Sequence, residues 1–242
     1  MDHTDSAPIF KNEGRSLCVQ SQIGPCIEFR LIERPPLEPK GETVQFRLTY
    51  RGQLPAARWE EDTRRKEKHL IRKQLHKQLK ELWHIHPLLK QWSAPFSEND
   101  PRSVVSGIAD DFGKFGFRWV PLINERYGLA CALDILLLRR DEPGNVIKAG
   151  GDIDNRVKVL FDALRVPAEP KEIKDFSPEP DDSENPFFCL LQSDGLINEV
   201  RVETDRLLTP LASGDAENDI ELIIHVKSLV VNARKAPTDF YL

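Results

Sequence analysis

Two hydrophobic periodicities follow one another along this chain of 242 residues, and their order limits the folds it can adopt. Apolar and polar residues alternate over 44–51 and again over 220–229, and a period of two is typical of a half-buried strand. Over 59–83 and 153–165 apolar residues recur every three or four positions, which predicts amphipathic helices. Strands before, between and after only two clear helices predict an α+β fold, in which a mixed β-sheet is packed by two main helices.

Three further apolar stretches predict the remaining strands, at 127–140, 187–192 and 196–204. The first of them is apolar almost throughout, which favours a strand buried on both faces. Residues 93–116 contain two prolines and three glycines and are predicted to be irregular.

One domain, residues 43–230, accounts for these elements. It is preceded by an extension over 1–42, which contains five prolines, and followed by a tail over 231–242. Within the domain, an insertion over 166–186 holds five prolines, seven acids and two lysines in 21 positions. So little apolar material predicts an exposed, mobile loop without a core of its own.

Composition argues against a membrane span and against a disulfide framework. The longest apolar stretch, 129–138, has ten residues and includes Asp134, whereas about 20 apolar residues are needed to cross a bilayer. The four cysteines form no C-x-x-C pair, and we therefore expect reduced, mostly buried thiols. Together with an N-terminus that lacks the pattern of a signal peptide, these features predict a cytoplasmic protein with no membrane partner.

The first predicted helix is strongly basic. Between Arg64 and Lys80, eight Lys or Arg residues and one acid give a charge of +7, which leaves −12 for the rest of a chain whose total is −5. Such a surface can follow a phosphate backbone, and the alternative is a solvated helix whose cations pair with acids elsewhere in the protein. The candidate nucleic-acid contacts are Arg64, Arg65, Lys68, Arg72, Lys73, Lys77 and Lys80.

The densest chemical signal lies where the second helix begins. Asp152 and Asp154 stand there together, Lys158 follows Asp154 by one helical turn, and Asp194 stands where a strongly apolar strand ends. Clustered carboxylates suit a hard cation such as Mg²⁺. In the alternative interpretation the acids are structural, with one Asp capping the helix and Asp194 in a D-G turn.

Together these segments resemble the RusA-like family of Holliday-junction resolvases. In that family a D-x-D-N motif opens a helix that carries a lysine four residues after its second Asp, followed by D-A-L. The matching residues here are Asp152-Ile153-Asp154-Asn155, Lys158 and Asp162-Ala163-Leu164. The next strand ends in Ser193-Asp194, where the family has an acidic pair. The resemblance covers roughly residues 43–230.

The resemblance implies a single RusA-like domain that acts as an endonuclease dependent on Mg²⁺ or Mn²⁺. Such an enzyme hydrolyses phosphodiester bonds in branched or duplex DNA as a homodimer, in DNA recombination and repair. The resemblance further implies that Asp152, Asp154 and Asp194 bind the metal and that Lys158 is a catalytic cation. Arg58, in the matching flank before the basic helix, joins the implied DNA contacts.

Departures from the family pattern motivate a second hypothesis. Ser193 takes the place of one acid, and the acidic insertion over 166–186 falls between the motif helix and Asp194, where it would repel DNA. The alternative function is a catalytically inactive RusA-like module that binds nucleic acid or another protein. In its protein-binding form, the basic helix meets an acidic partner such as the insertion itself.

Overall fold

The computed structural model describes the chain over the ranges 17–18, 28–29, 44–54, 61–140, 153–174, 177, 179–209, 211, 218–232 and 234–235. The chain divides into two units, Met1–Glu38 and Pro39–Leu242. In the first unit, two short strands, Leu17–Cys18 (β1) and Glu28–Phe29 (β2), pair antiparallel. All elements discussed below belong to the second unit.

The second unit contains both strands and helices, which confirms the predicted α+β class. Its strands are β3 (Gln45–Gln53), β4 (Gly113–Lys114), β5 (Phe117–Ile123), β6 (Leu129–Arg139), β7 (Phe187–Leu191), β8 (Ile197–Arg206) and β9 (Asp219–Val230). Its α-helices are α1 (Glu61–Ile85), α2 (Pro87–Ser93), α3 (Val104–Asp111) and α4 (Ile153–Leu164). Short 3-10 helices span Pro170–Glu172, Asp182–Glu184 and Asp194–Leu196.

The strands of this unit form two mixed sheets. The four-stranded sheet has the order β3-β9-β6-β8, in which β6 and β8 are parallel and the other neighbours are antiparallel. The three-stranded sheet has the order β4-β5-β7, in which β5 and β7 are parallel. The sequence predicts a mixed sheet but not its division in two.

The helix α1 packs against β3 of the four-stranded sheet and β7 of the three-stranded sheet. Ile71, Leu75 and Leu79 of the predicted apolar stripe are buried, and the stripe continues with buried Trp83, whereas the predicted Leu82 is half-buried. The buried side chains belong to one hydrophobic cluster with the inward-facing side chains of β3, β6 and β9. In the described ranges, no helix is long and apolar enough to cross a membrane.

The second face of this sheet is more open than the apolar run of β6 predicts. Leu133, Ile135 and Leu137 are buried, whereas Asp134 and Leu136 between them are only half-buried. The expectation that this strand is buried on both faces is therefore wrong. In the described part of the chain, the helices cover the first face and leave the second accessible.

Two short helices lie in a stretch where the sequence shows little periodicity. The helix α2 begins with Pro87, which suits the first position of a helix. Before α3, the Ser103 hydroxyl accepts from the backbone N–H of Ser106 and the Ser106 hydroxyl accepts from that of Ser103. The prediction of irregular structure over 93–116 is wrong at α3, because eight residues give too few turns for a helical period to stand out.

The acidic insertion is partly buried. Val166 and Ile173 belong to a second hydrophobic cluster, whose other members come mainly from β5 and β7, and Glu172 and Glu184 are buried as well. The prediction of an exposed loop is therefore wrong for these residues. Two apolar side chains suffice because the insertion adds to a cluster that already exists, rather than forming one alone.

Two histidines of α1 are buried beside the aromatic side chains of β7. His76 Nδ1 accepts from the Phe188 N–H at 2.8 Å, and His76 Nε2 donates to the Ser183 carbonyl at 3.1 Å, which requires a neutral ring. The His69 ring packs against Phe187, and neither of its nitrogens has a hydrogen-bond partner in the described ranges. Burial lowers the pKa of His69 to about 3 and lowers that of His76 as well.

We expect His69 to make the fold sensitive to acid. Its pKa in the folded state lies below the unfolded value of 6.5, so its stabilising contribution is complete above pH 6.5 and is lost as the pH falls toward 3. At pH 5 the free energy of unfolding is lower by about 2 kcal/mol on this account. Urea unfolding at pH 7 and pH 5 should show a smaller difference for His69→Phe than for the wild type. The control His84→Phe, at an exposed position of α1, should leave the difference unchanged, and an unchanged difference in His69→Phe would contradict the shift.

Candidate functional site

The start of the motif helix α4 is held by a buried arginine. Arg156 lies on the inner face of α4, and its guanidinium donates to the Leu54 carbonyl and, at 3.2 Å, to Asn218 Oδ1. Leu54 follows β3 and Asn218 precedes β9. The turn of α4 that carries Asp154 is therefore tied to the ends of two neighbouring strands.

Asp154 and Lys158 lie one helical turn apart on the outer side of α4. Lys158 Nζ is 2.9 Å from Asp154 Oδ2, and the side chains of Lys158 and Asp154 are 70% and 55% exposed. An ion pair this exposed contributes little to stability. Both groups are accessible to a ligand, as the catalytic roles predicted for them require.

Asp194 begins a 3-10 helix shortly after β7, and this short helix contacts α4. The hydroxyl of Ser193, where the family has a second acid, accepts from the Gly195 N–H at 3.3 Å and so caps the turn. Asp194 itself is exposed. Asp194 also interacts electrostatically with Arg165, which follows α4. Burial lowers the pKa of Arg165, but the carboxylates around it, including that of Asp194, have the larger combined effect, so that the pKa is raised.

The three predicted metal ligands are described only in part. Asp152 lies outside the described residues, while Asp154 and Asp194 are exposed carboxylates with oxygen donors that suit Mg²⁺. Within the described ranges, no group of three or more His, Cys, Asp or Glu side chains is arranged to hold a metal ion. The described residues alone therefore do not form the predicted site of three carboxylates. The site stays a prediction, because its third carboxylate, Asp152, lies outside the described residues.

The helices α1 and α4 share a polar pocket of about 340 Å³. Lys68 of α1 and Asp162 of α4, 94 positions apart in the sequence, form an ion pair of 3.0 Å at its wall. The pocket is lined by Glu61, Arg64, Arg65 and Lys68 of α1, by Asn155, Lys158, Val159 and Asp162 of α4, and by Glu169, Lys171 and Glu172 beyond α4. Three residues of the sequence motif and three predicted DNA contacts therefore meet in one place.

Most cations of this pocket are already paired with acids. The pairs are Arg65 with Glu61 and Asp62, Lys68 with Asp162, Lys158 with Asp154, and Lys171 with Glu169. Arg64 is different, because its half-buried side chain has no hydrogen-bond or ion-pair partner in the described part of the chain and its Nε is buried. An arginine held in a pocket in this way is suited to bind an anion such as a phosphate.

Arg72 does not belong to the accessible surface of α1. It is buried, and its Nη2 donates to the Asp162 carbonyl at 2.8 Å and lies 3.4 Å from Glu172 Oε2. The prediction that Arg72 contacts DNA is therefore wrong. Its partners lie 90 and 100 positions away in the sequence, so the local charge pattern contains no sign that this cation is buried.

The other predicted DNA contacts fall into distinct groups. Arg64, Arg65 and Lys68 line the pocket, Lys73 and Lys80 contact the acidic insertion, Lys77 is exposed, and Arg58 lies outside the described residues. The basic helix is thus divided along its length. Only its first turns face the motif helix.

Comparison of the chain with models of protein families, with curated proteins and with solved structures finds no match. The resemblance to RusA-like resolvases therefore rests on the motif residues and stays a prediction. The structure adds the surroundings of those residues, because Lys158, paired with Asp154, lines a pocket that α4 shares with the basic helix.

The sequence contains a sign that Arg156 is buried. Arg156 precedes Val159 and Leu160 by three and four residues and so falls on the apolar face of α4. A charged residue at such a position indicates a buried cation with partners in another part of the chain. Which partners these are cannot be found in the same way, because Leu54 and Asn218 lie far from α4 in the sequence.

Replacing Arg156 with Met should lower the free energy of unfolding by about 2–4 kcal/mol, because buried acceptors at Leu54 and Asn218 lose a charged donor. Urea unfolding at pH 7 measures the change. The control Arg64→Met removes a half-buried arginine without such partners and should cost less than about 1 kcal/mol. Equal, small effects of both substitutions would mean that apolar contacts alone hold α4.

Proposed function

We propose that the chain is a Mg²⁺-dependent endonuclease that hydrolyses phosphodiester bonds in branched DNA, as RusA-like resolvases do. The observation that carries the proposal is the pocket between α1 and α4, where the D-x-D-N helix and the basic helix meet. The two features come from separate parts of the sequence. A nuclease needs them side by side, because cations hold the strand while the neighbouring carboxylates and lysine act on the phosphate.

The side chains divide into two roles under this proposal. Arg64 positions a phosphate of the backbone without reading base sequence, and Lys158 stabilises negative charge that develops at the phosphate. Asp152, Asp154 and Asp194 would hold Mg²⁺ or Mn²⁺, which when bound activates a water molecule and neutralises charge on the phosphate.

A homodimer and a cytoplasmic location are part of the proposal. Two copies related by a twofold axis would present equivalent sites to opposed strands of a four-way junction. The buried cysteines Cys131 and Cys189 are free thiols, which suits a reducing compartment.

A second candidate function keeps the DNA contact without the cleavage. It is favoured by Ser193, which caps a turn where the family has an acid, and by the pairing of Asp154 with Lys158. Both features reduce the number of carboxylate oxygens that are available to a metal. The chain would then be a RusA-like module that binds nucleic acid or another protein.

The enzymatic proposal predicts cleavage that depends on Asp154. A labelled four-way junction incubated with the protein and Mg²⁺ should give paired nicks, and Asp154→Asn should reduce the rate by about 100-fold or more, because a metal ligand is lost. The control Glu199→Gln removes an exposed acid of β8 that is not part of the sequence motif and should cut like the wild type. No cleavage by the wild type with Mg²⁺ or Mn²⁺ would favour the binding module, and equal cleavage by Asp154→Asn would remove the proposed site.

The endonuclease and the inactive DNA-binding module both predict that Arg64 contacts a phosphate of the DNA. Fluorescence anisotropy with a labelled junction, measured without metal over a range of salt concentrations, should show weaker binding for Arg64→Gln. The slope of log affinity against log salt should fall by about one, since one phosphate contact is lost. Lys90→Gln, at an exposed position of α2, is the matched control. Equal slopes for the two variants would exclude Arg64 from the interface.

A further inference from the structure

The acidic insertion contacts the basic helix in two places, each through a buried glutamate. The first is Glu172, which lies 3.4 Å from Arg72 and 3.4 Å from Arg165. Glu172 also accepts from the backbone N–H groups of Ala168 and Glu169. Its side chain is 9% exposed, so this contact is a fixed part of the fold.

The second contact begins at Lys73, the residue after Arg72, and extends two turns along α1 to Lys80. Lys73 Nζ is 2.9 Å from Glu184 Oε1 and 3.8 Å from Asp181 Oδ2. The Glu184 side chain is 6% exposed and that of Asp181 is 76% exposed, so the accessible acceptors of this contact are Asp181 and Ser183. The Ser183 carbonyl accepts from Lys80 Nζ at 2.8 Å and from His76 Nε2. Residues 181–184 thus supply oxygen acceptors to one side of the helix.

These acceptors face two cations that lie on one side of α1. Lys73 and Lys80 are seven positions apart and therefore lie on the same side of α1. A polyanion that follows the helix beyond the pocket would offer oxygens to the same two ammonium groups. It can do so only by competing with Glu184, Asp181 and the Ser183 carbonyl.

We propose that residues 181–184 are an intramolecular competitor of DNA for Lys73 and Lys80. The inference rests on the proposed function for the identity of the polyanion. The insertion stays anchored through Glu172, while its outer part occupies Lys73 and Lys80 and leaves Lys77, which lies between them, exposed. Neutralising this outer part extends the cationic surface along the helix and strengthens DNA binding.

The test compares two double variants that remove the same charge from the same segment. Asp181→Asn with Glu184→Gln removes the acids that face Lys73 and keeps side-chain acceptors for the turn that Asp181 and Glu184 cap. Glu179→Gln with Asp182→Asn removes two exposed acids for which no side-chain contact to α1 occurs in the described ranges. Each is titrated with a labelled four-way junction without metal, and urea unfolding shows that both are folded.

We expect the Asp181 and Glu184 variant to bind about fivefold more tightly than its control, as the loss of two competing ion pairs allows. Its salt slope should be steeper by about one, because Lys73 gains a phosphate contact while Lys80 keeps the Ser183 carbonyl. Adding Lys73→Gln to this variant should cancel most of the gain, whereas adding Lys90→Gln should not.

The outcomes separate this inference from the proposed function. Measurable binding with equal affinity and equal salt slope in the two double variants overturns the competitor and leaves DNA binding intact. A gain that survives Lys73→Gln overturns it as well, because the gain would then come from overall charge. No binding by the wild type or by any variant at low salt overturns both.

Discussion

The guanidinium of Arg72 is buried where α1, the end of α4 and the acidic insertion meet, and the geometry of the candidate site depends on how this charge is satisfied. Its Nη2 donates to the Asp162 carbonyl and lies near Glu172. A buried cation without partners would cost several kcal/mol, so these contacts fix the three segments together more than they add stability. Burial lowers the pKa of Arg72 to about 10, which leaves the group charged at neutral pH.

The pocket follows from this arrangement. Arg72 holds the end of α4 against α1 through the Asp162 carbonyl. Lys68, one turn before Arg72 on α1, pairs with the carboxylate of the same Asp162. The preceding turns of both helices then line a polar cavity rather than an apolar contact, and Arg64 and Lys158 come from opposite helices to the same space. Since Arg156 ties the start of α4 to the strands, the motif helix is held at both ends by buried arginines.

Local patterns predict what is decided locally. The period of two gives β3 and β9, and the helical spacing gives α1 and α4 to within a few residues, because each pattern reports which side of one element is buried. The juxtaposition of Asp154 and Lys158 is predictable for the same reason, since four residues make one turn. The partial exposure of one face of β6 cannot be predicted in this way, because the burial of that face depends on which other elements cover the sheet and not on the sequence of the strand.

Local patterns predict least well whether a charged side chain is exposed to solvent or paired within the fold. The acids over 166–186 and the cations of α1 are both visible in the sequence, yet the pairing of Lys73 with Glu184 joins residues that only the fold brings together. Summed charge therefore misjudges this surface, whether it is counted over the chain or over the helix.

What decides how a polyanion meets α1 is which cations already have acceptors. Lys73 and Lys80 face the insertion, whereas Arg64 forms no hydrogen bond or ion pair in the described ranges. An acidic segment beside a basic helix need not exclude DNA. By occupying Lys73 and Lys80 it lowers the attraction of that part of the helix for a polyanion and leaves Arg64, beside the motif residues, accessible in the pocket.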